Sequence, residues 1–374
     1  MKKVLLTTTA LMSASFLAST AMAKPEVRIG GFVNFQVGMT SQDIEGFGPS
    51  PGGVTTARPE RGYGFLTDTE VIVRASDKLD NGLEWAAKIE LEANTDENTS
   101  NSGDEVTITL RGSWGQVFFG SEDGPADTMK TGGKRAVSDA GSGGISGDFR
   151  AWTNWTTVST RFWSNAADIR DSSDAAKIAY ITPRVAGFQA GVSFSPDRDE
   201  EGRFRDVDNN GSEQSFWELG LNYDQKFGDF RVTLAGVASL ADNENNQRED
   251  TRSWHIGAMV GYAGFKLGAA YGETGERGRA KTATNTNVDG WDVGLGYNMG
   301  AWDFGIGYYE STVGVENSSG ENKLRAYGGG VTYDMGNGLA VYTELMFLET
   351  SSGSTSKTQE NDAVTLISGI GVQF

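Results

Sequence analysis

The chain has 374 residues with 50 acidic and 32 basic side chains, and its formal net charge of −18 argues against nucleic-acid binding or a polybasic membrane-surface role. It contains no cysteine, which excludes a disulfide scaffold. With 51 glycines, 7 prolines, 10% aromatic residues and a mean hydropathy of −0.39, it fits short alternating strands better than a packed α/β core.

The first 23 residues have the pattern of a secretory signal peptide. A basic start, MKK, precedes a short apolar stretch, and the tripeptide AMA at 21–23 forms a small-x-small cleavage site. The apolar stretch falls short of the ~20 residues that a membrane-spanning helix needs. We therefore expect a signal peptide over 1–23 and one mature domain over 24–374, with a net charge of −20 once the two leader lysines are removed.

Beyond the leader, apolar residues recur at every second position, which is the period of a β-strand with one apolar face. In WHIGAMVGY, for example, Trp254, Ile256, Ala258, Val260 and Tyr262 share one side. The pattern predicts sixteen strands, at 26–39, 63–76, 83–94, 104–112, 116–120, 175–182, 186–195, 214–226, 229–241, 251–262, 264–273, 287–299, 302–313, 322–335, 338–350 and 362–374.

Two folds are consistent with such alternation, a soluble β-sandwich and a transmembrane β-barrel. Aromatic residues end many of the apolar rows, as Trp254 and Tyr262 or Trp291 and Tyr297 do. Aromatic ends on strands of about ten residues are typical of the two girdles of a transmembrane barrel. The opposite faces are polar, small or charged, as a watery interior requires. We therefore predict an all-β fold, a transmembrane antiparallel barrel.

The connections alternate between short turns and long polar loops, and the third loop, at about 121–174, is the longest. The final stretch, AVTLISGIGVQF, is an alternating strand that runs to the last residue. A closed barrel explains this ending, because the last strand must pair with the first to leave no edge unpaired in lipid.

Three segments make the mature chain similar to a known family. WGQVFFGSEDG precedes the third loop, AAKIAYITPRVAGFQAGVSF follows it, and GVQF ends the chain. In these the chain resembles the sixteen-stranded general diffusion porins of Gram-negative outer membranes. The resemblance implies an outer-membrane homotrimer for passive diffusion, with loop three folded into the lumen. It also implies recognition of Phe374 by the barrel-assembly machinery.

In that family, acidic residues of the third loop face basic residues on the wall. Strand parity and position around the loop predict the basic wall as Arg28, Arg74, Lys88, Arg111, Arg170 and Lys177. Asp139 and Asp148 are the acidic candidates in the loop, which we expect to be packed by Phe149, Trp152 and Trp155. The alternative is that each charge is an ordinary solvated wall residue. The negative net charge favours cations, although the basic wall opposes this locally.

A weak calcium signal lies in the fourth loop. In DVDNNG, Asp206, Asp208 and Asn210 occupy alternate positions before Gly211, as at the start of an EF-hand loop. Trp217 stands where that loop requires a bidentate glutamate, so the EF-hand reading fails and only a looser structural calcium site remains. No other cofactor is expected.

Three alternatives to a general channel remain: a substrate-specific channel for sugar or phosphate, a barrel enzyme and an adhesin. A sugar-specific channel would line its lumen with aromatic residues, and a phosphate channel would need a denser run of arginine or lysine. A barrel enzyme would use His255, the single histidine, with Ser253 as nucleophile, but same-face neighbours on a strand lie ~7 Å apart and no orienting group is evident. An adhesin is the third.

Overall fold

The computed structural model describes residues 25–45, 61–93, 103–141, 152–153, 169–198, 213–285, 287–353 and 360–374. Within these ranges sixteen antiparallel strands close into one barrel in chain order. The strands are β1 (Glu26–Glu45), β2 (Tyr63–Lys78), β3 (Glu84–Glu92), β4 (Gly103–Gly112), β5 (Gly115–Ser121), β6 (Ala176–Ile181), β7 (Phe188–Asp197), β8 (Glu213–Phe227), β9 (Phe230–Asn243), β10 (Thr251–Tyr262), β11 (Phe265–Glu273), β12 (Val288–Met299), β13 (Trp302–Gly314), β14 (Glu321–Gly336), β15 (Leu339–Ser351) and β16 (Glu360–Gln373).

The predicted barrel is confirmed, and every predicted strand is present. The largest difference is at β1, which continues to Glu45 rather than ending at 39, because residues 40–45 keep pairing with β16 as far as Glu360. The predicted signal peptide lies outside the described residues, and the division at residue 23 stays a prediction.

The C-terminal residue closes the ring. Phe374 donates its N–H to the carbonyl oxygen of Gly31 over 3.1 Å, and Gly31 donates back to the Phe374 carbonyl over 3.0 Å. From there β1 and β16 pair continuously, beginning at Phe32 and Gln373. The last strand is therefore hydrogen-bonded along its whole length, as the alternating terminal sequence predicts.

The outer face of the barrel carries the apolar rows and two belts of aromatic rings. On β10, Trp254 and Tyr262 are eight residues apart, about 27 Å along a strand and about 20 Å along the axis of a barrel with tilted strands. One belt, at the end of the short turns, includes the ring contacts Phe230–Tyr262, Phe265–Tyr297 and Trp302–Tyr333; the other includes Trp254–Tyr271, Trp291–Tyr308 and Tyr327–Phe347. This is the girdle arrangement of a transmembrane barrel.

The inner face is largely polar, but an apolar cluster lies near the long-loop end of β12 to β16. Tyr309, Leu324 and Met346 are almost completely buried there, within a cluster that spans β12 to β16. These side chains pack on one another and not against water, so this part of the interior departs from the uniformly watery lining that parity predicts.

Two short helices follow β5: α1 (Pro125–Thr128) and α2 (Gly133–Val137). In the described part of the chain, no helix has both the length and the apolarity to cross a membrane. The short turns use left-handed residues where hairpins need them: Asn337 and Gly338 have φ of 54° and 80° between β14 and β15.

Candidate functional site

The described start of the third loop lies against the inner face of the barrel wall. The backbone N–H of Gly133, at the start of α2, donates to Asp292 Oδ1 on β12 over 2.6 Å. Two residues earlier in the loop, the carbonyl oxygen of Thr131 lies 2.9 Å from His255 Nε2 on β10. Because Trp254 and Ile256, the neighbours of His255, face outward and are exposed, these contacts are on the interior side.

Glycines on the wall allow the loop backbone to approach this closely. A Cβ atom at Gly257 would lie 1.8 Å from the Thr131 carbonyl oxygen, and one at Gly294 would lie 2.3 Å from that of Gly133. Neither position has room for any side chain, so glycine is required by close approach rather than by backbone conformation. A series of inward glycines on neighbouring strands therefore forms the surface on which loop residues 131–137 rest.

The outgoing and returning legs of the loop are joined to each other at the wall. The fully buried carboxylate of Glu218 on β8 accepts the backbone N–H groups of Ala126 over 3.2 Å and Ser172 over 2.7 Å, and it also accepts the Ser172 hydroxyl. Nearby, Met129 from one leg and Ile169 from the other pack with buried apolar residues. One carboxylate and one apolar cluster thus fix both ends of the loop.

A third contact lies on the opposite side of the barrel. The Trp152 ring covers Gly38 of β1, where an added Cβ would lie 2.1 Å from a ring carbon, and Trp152 Nε1 donates to Gln36 Oε1 over 3.2 Å. Of the three aromatic residues predicted to pack the loop, Trp152 does so here. Phe149 and Trp155 lie outside the described residues.

Three of the predicted basic wall residues lie in one row on adjacent strands. Arg28 pairs in register with Arg74, and Arg74 pairs with Lys88. Arg28 is bound over 2.7 Å to Glu26, whereas Arg74 is exposed and makes no ion pair within the described ranges. Like charges on neighbouring strands are unfavourable, and in this row both Arg28 and Lys88 are compensated by carboxylates.

Lys88 is turned toward carboxylates. It contacts Glu105, and its Nζ lies 2.7 Å from Glu122 Oε2 and 3.2 Å from Glu90 Oε2. Lys88 is therefore compensated locally. Arg111, on β4, is exposed and donates to Gln116 Oε1 over 2.9 Å.

Arg170 and Lys177, on the returning side of the loop, bind other groups of the protein and are not free wall charges. Arg170 Nε donates to Glu213 Oε2 over 2.7 Å, and Arg277 binds the other oxygen of the same carboxylate over 2.7 Å. Burial lowers the pKa of Arg170 to about 10, which leaves it charged at neutral pH. Lys177 is buried and donates to the backbone carbonyls of Glu122 and Ser173.

Carboxylates are concentrated beside Lys88 and Lys177, where the third loop leaves and rejoins the barrel wall. Glu105, Asp123 and Asp174 each place an oxygen within 4.8 Å of the others. Burial, followed by the nearby carboxylates of Asp127 and Asp171, raises the pKa of Asp123 to about 8. This group of acids thus holds a proton near neutral pH.

Of the acidic loop candidates, Asp139 is bound to Lys266 of β11, so it faces a basic wall residue. Lys266 was not predicted as a wall residue, because it lies 127 residues from Asp139 in the chain and the sequence does not show that the two meet. Asp148, and the calcium candidates Asp206, Asp208 and Asn210, lie outside the described residues, so their predicted roles stay untested.

An interior cavity of about 990 Å³ lies between the described part of the loop and the wall of β8 to β13. Six basic and six acidic side chains line it, together with His255 and several uncharged polar residues. Its lining includes Lys134 and Arg135, whose position could not be predicted from the sequence because it depends on how α2 is oriented. The arrangement is a polar cavity lined by charges of both signs.

Comparison with known proteins gives a consistent result. A family model described as Gram-negative porin matches residues 7–353. An uncharacterized protein of Rickettsia conorii is 24% identical, over 75% of this chain and 79% of its own, and one of Rickettsia bellii is similar to the same degree over 74% and 78%.

Solved structures share the fold at low identity. An anion-selective porin from Comamonas acidovorans aligns with a TM-score of 0.61 at 16% identity, over 94% of this chain and all of that one. The outer-membrane protein OmpT of Vibrio cholerae, in its trimer form, aligns with a TM-score of 0.60 at 11% identity over the same shares.

Proposed function

The chain belongs to the Gram-negative porin family, and on that premise we propose that it forms a water-filled channel for passive diffusion of ions and small hydrophilic solutes. Its multi-pass barrel lies in the outer membrane. Family and fold suggest a channel rather than an enzyme. Diffusion through such a channel involves no chemical step and no energy coupling.

The observation that carries this proposal is the contrast between the two faces of one closed wall. The outer face presents exposed apolar residues between two aromatic belts, whereas the interior holds a charged cavity of about 990 Å³ beside a docked loop. Lipid solvates the first surface and water the second. A loop fixed on the inner wall narrows the passage without blocking it.

Charge filtering at the narrowed part is the finer element of the proposal. The exposed wall residues Arg74 and Arg111 and the Asp139–Lys266 pair place both signs of charge along the interior. Opposing charges across a watery constriction create a transverse field that sorts solutes by charge as well as size.

We further propose a homotrimer, inserted by the barrel-assembly machinery through Phe374. The trimer is suggested by the related fold of Vibrio cholerae OmpT, which has a trimer form. Phe374 supports recognition because the residue is 60% exposed although its backbone is paired with Gly31. The side chain is thus available to a partner during assembly.

The interior aromatic residues give no support to a sugar-specific channel, and Ser253 gives none to a barrel enzyme. Phe216 and Tyr309 are fully buried, and Tyr342 donates to Asn34 over 2.7 Å, so these three residues do not form a sugar-binding slide. Ser253 Oγ donates to the carbonyl oxygen of Glu273 and accepts the N–H of Arg170, which commits the proposed nucleophile of an enzyme to the wall.

Liposome swelling tests the proposal. Purified barrel, shown to be folded by its heat-modifiable mobility, is reconstituted and challenged with neutral sugars of increasing mass. We expect swelling rates that fall smoothly with solute size. Swelling no faster than in protein-free liposomes would contradict the channel, and one sugar that enters far faster than others of its size would establish a specific channel instead.

A further inference from the structure

The charged groups of the interior cavity are not equally available to a passing solute. On the loop, Asp127 is bound to Lys130 over 2.5 Å, and Asp139 is bound to Lys266. Both carboxylates that the loop contributes to the cavity are therefore compensated by a neighbouring ammonium group.

The carboxylates that the wall contributes are largely engaged as well. Asp224 is bound to Arg231 over 2.5 Å, Asp292 accepts the N–H of Gly133, and Asp303 accepts from Asn298 over 2.8 Å. Asp229 is exposed in the turn between β8 and β9, at the edge of the cavity. These donors to Asp292 and Asp303 are uncharged and do not neutralise the carboxylates, but Asp292 is 3% exposed beneath the loop, and Asp303, like Asp229, lies next to a short turn.

Two cations on α2 stand apart from this pairing. Of the six cations that line the cavity, Lys134, Arg135 and Lys226 form no ion pair within the residues that the structure describes, and Lys226 lies at the short-turn end of β8. The orientation of α2 is fixed, because Gly133, Ala136 and Val137 are buried on its other side, against the glycines of β12 and β13. The exposed side of α2 therefore holds its two basic residues toward the cavity.

We propose that Lys134 and Arg135 make this cavity attractive to small anions, such as carboxylate- or phosphate-bearing solutes. The proposal rests on the proposed channel function and assigns its charge preference to the loop. The acidic net charge of the chain does not oppose it, because charges farther than about 10 Å are screened at 0.1 M salt. One uncompensated unit charge at about 6 Å attracts one ion and repels the other, which changes the ratio of K⁺ to Cl⁻ by roughly threefold after screening at 0.1 M salt.

Reversal potentials across a planar bilayer test this inference, with a KCl gradient near 0.1 M. In K134Q/R135Q we expect the ratio of K⁺ to Cl⁻ permeability to rise by roughly tenfold, twice the single-charge effect on a logarithmic scale. K134R/R135K keeps both charges and should leave the ratio unchanged. R252Q removes one charge from the outer face of β10 and should also leave it unchanged.

The outcomes separate the two proposals. If wild-type protein shows no conductance, the channel function itself fails. If the channels conduct and K134Q/R135Q has the wild-type reversal potential, the channel stands and the assignment to Lys134 and Arg135 is overturned. An equal shift in K134R/R135K would also overturn it, because that variant changes shape but not charge.

Discussion

Replacing Gly257 with alanine tests whether the third loop is held on the inner wall by close approach at glycine. The added Cβ would lie 1.8 Å from the Thr131 carbonyl oxygen and 3.0 Å from His255 Nε2. Ordinary contacts need roughly 3.5 Å, so the loop backbone must withdraw by about 1.5 to 2 Å. That withdrawal breaks the hydrogen bond between His255 and Thr131.

The free-energy change follows from two contributions. Overpacking costs about 1–3 kcal/mol and the lost hydrogen bond about 1 kcal/mol. The backbone effect of alanine in the strand is the same in the docked and displaced states and cancels from their ratio. The docked position of the loop should therefore lose about 2–4 kcal/mol, which lowers the ratio of docked to displaced loop by roughly 30-fold or more.

Single-channel recording measures the consequence, with G261A as the matched control. Gly261 lies on the same face of β10, four residues on, and a Cβ there would have no neighbour closer than 3.7 Å. We expect G257A to show an altered conductance and excess open-channel noise, while G261A behaves as wild type. If both variants match the wild type in conductance and noise, the close-approach argument is wrong.

Three further predictions concern the loop and its charges. Because burial raises the pKa of Asp123 to about 8, above its unfolded value near 3.9, the docked loop should lose stability as pH rises from about 4 through about 8. Open-channel noise should then be greater at about pH 9 than at about pH 6, and D123N should remove the difference; a difference that persists in D123N would assign it to another group. E218A leaves two buried N–H groups without their acceptor, and each unsatisfied group costs about 1–3 kcal/mol. Limited proteolysis should therefore cut the loop faster while the barrel stays heat-modifiable, and unchanged resistance to the protease would argue against this anchor. K266Q should leave the Asp139 carboxylate unpaired and raise the ratio of K⁺ to Cl⁻ permeability by roughly threefold. The double variant D139N/K266Q should restore the wild-type ratio, whereas additive effects would show that the two residues do not act as a pair.

The strands and their faces could be read from the sequence because each depends on neighbours along the chain. The period of two from Trp254 to Tyr262 is complete within β10 and specifies which side chains face outward. Pairing between neighbouring strands then brings Arg28, Arg74 and Lys88 into one row, since all three share the inward parity.

The site was less predictable, because its contacts join residues far apart in the chain. Gly257 and Gly294 look like ordinary small strand residues, and only the loop backbone from 131 to 133 shows why no side chain fits there. Lys88 was predicted as a basic wall residue, but its partners Glu105 and Glu122 come from another strand and from the loop and could not be identified from the sequence. Charge pairing of this kind leaves no local signal.

The most direct test of the central claim is single-channel recording of the wild-type protein in a planar bilayer. We predict stepwise, ohmic conductance that persists at low voltage and that neutral sugars reduce only in proportion to the bulk conductivity of the solution. A folded, heat-modifiable barrel that inserts into the bilayer and conducts no ions would contradict this prediction.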